Sequence, residues 1–399
     1  MKAGWSIETL DKVALIRNGG TPKSKVKEFW GDDIEWLTPK DMGKMDGDYI
    51  DQTPRKISEL GLSKCSAKLV DANSVIMSTR APIGHLAINT VPMAFNQGCR
   101  GLTPNQSLIT KFLFYYLQAN VRELNELGTG TTFKELSAGA LKSFPIPLPP
   151  LEEQMRIVAV LDAAFEGLDR ARAHVEANLQ NARDLLQSAI NIAFEETHRI
   201  SGSVSVAKLC SMIVDCVNRT APKTEYETEY LMIRTSNIRF GKLDLHNVKY
   251  VTEETYKTWT RRQVPSVGDV LLTREAPVGE ACIVETDAKI FLGQRIVSYR
   301  ADIAKLYPMY LLFAFQSLRL KDQFLTLGSG ATVKHIRVPQ SKELQVPSAN
   351  LSKQIEISTR LASLAKTCAT LEKNYQSKLT DLDDLRQSLL QKAFAGELT

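Results

Sequence analysis

The chain has no CxxC pair: its six cysteines, Cys65, Cys99, Cys210, Cys216, Cys282 and Cys368, are scattered over 399 residues. That spacing supplies neither a zinc ribbon nor a redox motif and suits packed free thiols in a reducing compartment, so no metal is expected. No uninterrupted apolar run approaches the roughly 18 residues that a membrane-spanning helix needs. The opening MKAGWSIETLDKV lacks the apolar core of a signal peptide. A cytoplasmic protein with no membrane association is the expectation.

The signatures of common chemistries are missing as well. GTGTTFK at 128–134 lacks the spacing of a phosphate loop, and no GxGxxG follows a predicted strand. HExxH, the GxSxG elbow and an NPPY-like tetrapeptide of the kind found in DNA amino-methyltransferases do not occur. The five histidines, His85, His174, His198, His246 and His335, lie far apart. One acidic pattern remains: Asp269, Glu285, Asp287 and Lys289 could hold a magnesium ion and position a water for phosphodiester cleavage. Against it, the internal repeat described below sets Ser74 opposite Asp269, and strand-edge charges of a soluble domain account for the same residues.

What is present is ordinary in bulk, with 43% hydrophobic and 24% charged residues and a net charge of +5. The charge is unevenly placed. Residues 1–149 carry +3, 150–199 carry −4, 200–349 carry +5 and 350–399 carry +1. The two long blocks are the basic ones, which is compatible with a polyanionic partner.

The chain is also written twice. LGTGTTFKELSAGALKSFPIPLPPLEEQ (127–154) and LGSGATVKHIRVPQSKELQVPSANLSKQ (327–354) stand 200 residues apart. The offset continues through Leu151, Gln154 and Ile157 against Leu351, Gln354 and Ile357, and through RDLLQSAINIAF (183–194) against DDLRQSLLQKAF (383–394). Upstream, VIMSTRAPIG (75–84) resembles VLLTREAPVG (270–279), and KFLFYYLQ (111–118) resembles MYLLFAFQ (309–316). The ends match and the middles diverge, as expected of a shared scaffold with two independently varied surfaces.

Each half has two textures. Short apolar runs bounded by Gly, Pro, Asn and Asp, such as VALIRNGG and DIEWLTPKD, read as strands and turns of a mostly β domain, with one helix over KFLFYYLQANVRELNEL. Pro145, Pro147, Pro149 and Pro150 then read as a stiff joint outside helix and strand interiors. Beyond it the period becomes heptad. Val158, Leu161, Phe165, Leu168, Val175, Leu179 and Leu186 form one seam, interrupted at Arg172. Leu361, Leu364, Leu371, Tyr375, Leu382, Leu385 and Leu389 form the other, interrupted at Lys378. Sustained heptads indicate a coiled coil. The expectation is an α+β chain in four parts: a mostly β domain at 1–149, a helix at 150–199, a second such domain at 200–349 and a helix at 350–399, the two helices pairing antiparallel as an internal pseudo-two-fold repeat. Arg172 and Lys378 either fix the register of that pair or extend to solvent.

The predicted turns carry the groups that base edges and phosphates require. In the first half these are Thr21, Lys23, Lys40, Arg80, Asn96, Gln97, Thr132 and Lys134. In the second they are Lys223, Arg234, Asn237, Arg274, Gln294, Arg295, Thr332, Lys334 and His335. Two other readings use the same sequence differently: a coiled-coil scaffold that binds protein without reading DNA, and the magnesium-dependent nuclease built on Asp269.

FPIPLPPLEEQMRIVAVLD, preceded by GTGTTFKEL and followed by a heptad helix ending LLQSAINIAF, resembles the specificity subunit of Type I restriction–modification enzymes. The weaker second copy over 327–394 and the segment NGGTPKSKVKEFWGDDIEWLTPKDMG resemble the same family, so the likeness covers essentially the whole chain. This resemblance implies a non-catalytic DNA-binding subunit with two target-recognition domains, each reading half of a bipartite double-stranded site. It implies that the helices set the spacer and dock two modification subunits, which carry S-adenosylmethionine and methylate adenine. Restriction/translocase subunits would join for cleavage, and this chain itself would hold no cofactor.

Overall fold

The computed structural model describes residues 2, 4–80, 82–130, 134–216, 219–275, 277–327 and 335–398. Thr132, Thr332 and Lys334 lie outside them. The fold is α+β with an internal repeat, and the chain divides into two compact units, Met1–Val175 with Ser377–Thr399, and Glu176–Gln376. Two long helices, Leu151–Ser201 and Leu351–Ala395, each contribute one part to either unit.

The first unit is built on a five-stranded sheet in the order Ala14–Asn18, Cys99–Pro104, Val75–Thr79, Ile83–Asn89, Tyr49–Ile50. Val75, Met77 and Leu102 point one face of it at the helix Thr110–Ala119, whose Phe112, Leu113, Tyr115 and Leu117 are buried there. A smaller sheet ends in a parallel pair, Ile34–Leu37 with Met93–Phe95. The second unit repeats the plan. Cys210–Asp215, Ile296–Ala301, Val270–Arg274 and Val278–Ile283 form its main sheet, covered by the helix Pro308–Gln316. Its parallel pair is Tyr230–Ile233 with Lys289–Leu292. The helix expected over KFLFYYLQANVRELNEL is broken at Asn120 into Thr110–Ala119 and Val121–Glu126.

The proline cluster departs from expectation. Pro145–Leu148 is a strand, paired antiparallel with Ser6–Thr9 so that Thr9 faces Pro145 and Ile7 faces Pro147. A two-stranded ribbon leaves one strand side unpaired, and prolines at alternate positions turn their missing N–H groups to that side. Ile146 between them is fully buried. In the second unit Ser203–Ser205 pairs with Gln345–Pro347 in the same way.

From these ribbons each chain segment enters a long helix past a buried glutamine. Gln154 is 0% exposed: Ile109 N–H donates to its Oε1 at 2.9 Å, and its Nε2 donates to the carbonyls of Ser107 and Pro149, both at 2.9 Å. Gln354 is 2% exposed and repeats this, accepting from Tyr307 N–H at 2.8 Å and donating to Lys305 O at 2.9 Å and Ala349 O at 2.8 Å. The hydroxyls of Tyr116 and Tyr310 donate to the carbonyls of Pro145 (2.5 Å) and Pro347 (2.9 Å). Helix, ribbon and sheet domain are thereby one packed body in each unit.

Within each unit the helices pair antiparallel. In the first, Arg172 pairs with Asp383, and Arg386 with Asp169 at 2.8 Å, while Leu161, Phe165, Leu390 and Ala393 share one core. In the second, Arg183 pairs with Glu372 at 3.4 Å, and Ile190 and Phe194 share a core with Ile357 and Leu361. The offset of 200 relates Arg172 to Glu372 and Arg183 to Asp383. The two ion pairs are therefore repeats of each other with the charges exchanged.

Most seam residues point inward. Leu161, Phe165, Leu179 and Leu361 are buried, and Val158, Leu168, Val175, Leu186, Leu364, Leu371, Tyr375, Leu382 and Leu389 are half-buried. Leu385 is not in the seam; it is 47% exposed. Arg386 takes that turn, with its guanidinium 4.2 Å over the Phe165 ring and its charge on Asp169. An arginine can cover apolar surface with its stem and ring-stack its head, so it competes with leucine for the position. Lys378 lies on the exposed side and Leu379 is the half-buried residue of that turn, whereas Arg172 sits at the seam edge in its ion pair.

Replacing Gln154 by leucine strands three backbone polar groups in a dry environment, each costing about 1–3 kcal/mol if left without a partner. We expect Gln154→Leu to destabilise the first unit by about 3–5 kcal/mol in urea unfolding, and Gln354→Leu to do the same to the second. A change below about 0.5 kcal/mol would show that the amide does not fasten the helix.

Candidate nucleic-acid interface

In each unit the two strands of the parallel pair end side by side, so the turns that follow them meet. In the first unit, Asn96 N–H donates to Leu37 O at 2.9 Å, joining the turn Asn96–Gly98 to the segment after Leu37. That segment, Thr38–Asp41, is closed by a capping box in which Thr38 N–H donates to Asp41 Oδ2 at 3.1 Å, leaving Lys40 exposed. Thr79 N–H donates to Gly98 O at 2.7 Å and brings Arg80 beside the turn. Arg80 reaches Glu135 at 3.8 Å, which draws in the segment carrying the exposed Lys134.

The loop Gly19–Lys23 closes onto the same turn. Gly19 packs so tightly on the Asn96 carbonyl that a Cβ would stand 1.9 Å from its oxygen, so glycine is required there. Thr21 Oγ1 donates to Gln97 Oε1. Two indoles hold the loop from behind: Trp36 Nε1 donates to Gly20 O at 2.9 Å and Trp30 Nε1 to Lys23 O at 3.4 Å. Thr21, Arg80, Asn96 and Gln97 are thus brought together, with Lys23 and Lys40 exposed on the flanking segments.

Two residues that sequence reasoning missed pack on the turn and on the indoles that hold its loop. Arg100 donates through Nη1 to Gln97 O at 3.1 Å. The exposed Arg55 lies 5.0 Å and 4.7 Å over the Trp30 and Trp36 rings. Arg100 stands three residues after Gln97 and was accessible to inspection. Nothing local marks Arg55, because its partners come from distant strands.

The second unit has the same frame with other side chains. Gly293 N–H donates to Ile233 O at 2.7 Å, and Arg274 N–H to Arg295 O at 2.7 Å. Arg234 N–H is capped by Asn237 Oδ1 at 3.0 Å, as Thr38 is by Asp41. Asn237 is accordingly not a surface group: it is 1% exposed, and its Nδ2 donates to Asp244 O and Asn247 O. The expectation that it contacts a ligand is corrected, since its amide is consumed in closing the turn. Arg274 braces the following segment through Ile336 O at 3.0 Å, beside the half-buried His335. Arg295 is exposed, adopts φ 70° and pairs with Glu275 at 2.8 Å. Lys223 is exposed, 3.6 Å from Glu225, on a loop whose Arg219 carbonyl accepts from Trp259 Nε1 at 3.5 Å. Gln294 is half-buried beside Arg295.

The acidic pattern at Asp269 is structural. Asp269 is 1% exposed and its oxygens accept from Arg300 Nε and Nη2 (2.8 Å each), Gln263 Nε2 (2.8 Å) and Ser266 N–H (2.9 Å). Lys289 is held by Glu229 at 2.7 Å. A carboxylate so fully engaged cannot present oxygens to a metal, and the nuclease reading loses its first ligand. Among the described residues no group of three His, Cys, Asp or Glu is placed to hold a metal ion. Burial pushes the Cys99 and Cys282 thiols up to about 12, so both are packed and protonated. No helix among the described residues is long and apolar enough to cross a membrane.

The Type I restriction modification DNA specificity domain matches this chain twice, over residues 2–177 and 215–381. The EcoBI specificity subunit of Escherichia coli is 24% identical over 99% of this chain and 86% of its own length. The MjaIX specificity subunit of Methanocaldococcus jannaschii is 35% identical over 159 residues, 39% of this chain and 37% of that one. Among solved structures, a chain from work on complex assembly and conformational transition of the type I R-M system is 20% identical, covers 100% of this chain and 99% of its own, and superposes with a TM-score of 0.77. The HsdS subunit of Thermoanaerobacter tengcongensis gives 18% identity, 100% and 98% coverage and a TM-score of 0.58. With the domain present in two copies, each supplying one such edge of basic and amide groups, the chain belongs to the family of Type I restriction–modification DNA specificity subunits, the non-catalytic chains of those systems.

Proposed function

We propose that each unit reads one half of a bipartite double-stranded DNA site through the turn cluster at the end of its parallel strand pair. The observation that carries this reading is the repetition of one main-chain frame with different side chains: Thr21, Arg80 and Gln97 around one turn, Arg274, Gln294 and Arg295 around the other. A backbone frame fixed by hydrogen bonds lets the side chains that meet base edges vary without cost to the fold. Lys23, Lys40, Lys134 and Lys223, exposed on flanking segments, serve phosphates. Thr132, Thr332 and Lys334 keep the same assignment from their place in the repeat.

The paired helices fix the number of base pairs between the half-sites. They also dock two modification subunits, which carry S-adenosylmethionine and methylate adenine; restriction/translocase subunits complete the assembly in the cytoplasm. Two modules joined rigidly bind one duplex with high effective concentration, provided the spacing matches. A scaffold that does not touch DNA would leave the two basic edges without a role.

Exchanging residues 1–149 for the corresponding part of another specificity subunit should change one half of the methylated motif in genomic methylation mapping and leave the other intact. Simultaneous change of both halves would overturn the assignment of one half-site to each unit. Four residues inserted into both helices, within 172–176 and within 377–381, add about 6 Å of helix, which predicts a spacer longer by about one or two base pairs at about 3.4 Å each. An unchanged spacer would rule out the helices as the ruler.

A further inference from the structure

One side chain is retained at the equivalent turn while its neighbours change. Aligned on their main-chain hydrogen bonds, Asn96-Gln97-Gly98 matches Gly293-Gln294-Arg295. Around them Thr79 stands against Arg274, Arg80 against Glu275, Thr38 against Arg234 and Arg100 against Val297. The frame does not demand glutamine: both turns are held by main-chain bonds on either side, from Asn96 and Gly293 N–H and to the Gly98 and Arg295 carbonyls. In the first unit the Gln97 amide is oriented rather than consumed, since Thr21 Oγ1 donates to its Oε1 and its Nε2 has no partner among the described residues. In the second, the half-buried Gln294 amide makes no hydrogen bond among the described residues. Gln97 is exposed and Gln294 half-buried, and neither amide is used up inside the fold, so both copies keep donor and acceptor groups free for a ligand at the same turn.

Resting on the proposed reading of two half-sites, we propose that Gln97 and Gln294 are specificity-determining residues that read the same base, adenine, at one equivalent position in each half-site. Residues that differ between the units read what differs between the half-sites. A residue they share must meet something the half-sites have in common. Phosphate is common to both, but the neighbouring arginines already supply cations for it. A side-chain amide offers one donor and one acceptor in a plane, the complement of adenine N7 and N6 in the major groove. The turn that presents it is closely packed, as positioning against a base edge requires: a Cβ on Gly293 would stand 2.5 Å from Ile233 O, and in the first unit a different glycine, Gly19, closes on the Asn96 carbonyl.

The test uses the full-length chain in complex with its modification subunit. Gln97→Ala, Gln97→Glu, Gln294→Ala and Gln294→Glu are compared by genomic methylation mapping, by duplex binding and by thermal melting. Each alanine variant should relax one adenine position, in one half-site only, and lower affinity for the cognate duplex by roughly 5–150-fold, with melting unchanged. The glutamate variants, acceptors only, should disfavour adenine at that position further. An unchanged motif with binding weakened equally on all sequences would make both residues phosphate contacts and overturn the proposal. A lowered melting temperature with an unchanged motif would make them structural and do the same. If these variants leave the motif intact while exchange of residues 1–149 still alters one half-site, this inference fails and the two-half-site reading stands. If that exchange also leaves the motif intact, the underlying reading fails.

Discussion

The architecture depends on a buried amide at the start of each long helix. Gln154 and Gln354 each satisfy three backbone groups in a dry setting, tying the first turn of the helix to the segment that leads into the sheet-covering helix. A second pair works from the other helix: Gln187 Nε2 donates to Gln316 O in the second unit and Gln387 Nε2 to Ala119 O in the first, both at 3.0 Å. Each unit is therefore fastened by one glutamine from either helix. Breaking such a bond inside a protein exposes a polar group to an apolar environment, which is why the recognition fold does not pivot on its helix as a bead on a linker would. The proline ribbon supports this, since its strands are paired and its Ile146 is buried.

Holding the turns by main-chain bonds separates the shape of the edge from the identity of its side chains. The bonds from Asn96 and Gly293 to the ends of the neighbouring strands, and from Thr79 and Arg274 to the turn carbonyls, are indifferent to side-chain identity. Substitution at the edge then changes the surface presented while the scaffold persists. The same separation explains why the ends of the two halves match in sequence and the middles do not. Helix seams and buried ties need particular residues, whereas turn surfaces need only a backbone path.

The helix pair shows a further division. Arg172 and Arg183 lie on the first helix and their partners Asp383 and Glu372 on the second, at repeat-related positions with charge exchanged. Pairing of the first helix with another copy of itself would bring arginine to arginine, so the charges favour first with second. Exposed ion pairs contribute little to stability, so these charges bear on the choice of partner more than on its strength.

Much of this was legible in the chain. The repeat and the two heptad helices follow from periodicity and from the constant offset, because helix geometry and duplication leave marks at fixed spacings. Leu161, Phe165 and Leu361 fall where the heptad puts them. Tertiary structure decided the rest. Spacing alone cannot choose between Leu385 and Arg386, and the choice was made by Phe165 and Asp169 from a helix more than 200 residues away. Asn237 and Asp269 read as surface chemistry, but the polar groups that surround them, local and distant, turned them into internal ties. The prolines read as a joint until a strand from the start of the chain gave them a partner. Local periodicity is a property of the sequence; which side a polar residue faces, and whether its charge is already answered, depends on neighbours that only the folded chain brings within hydrogen-bonding distance.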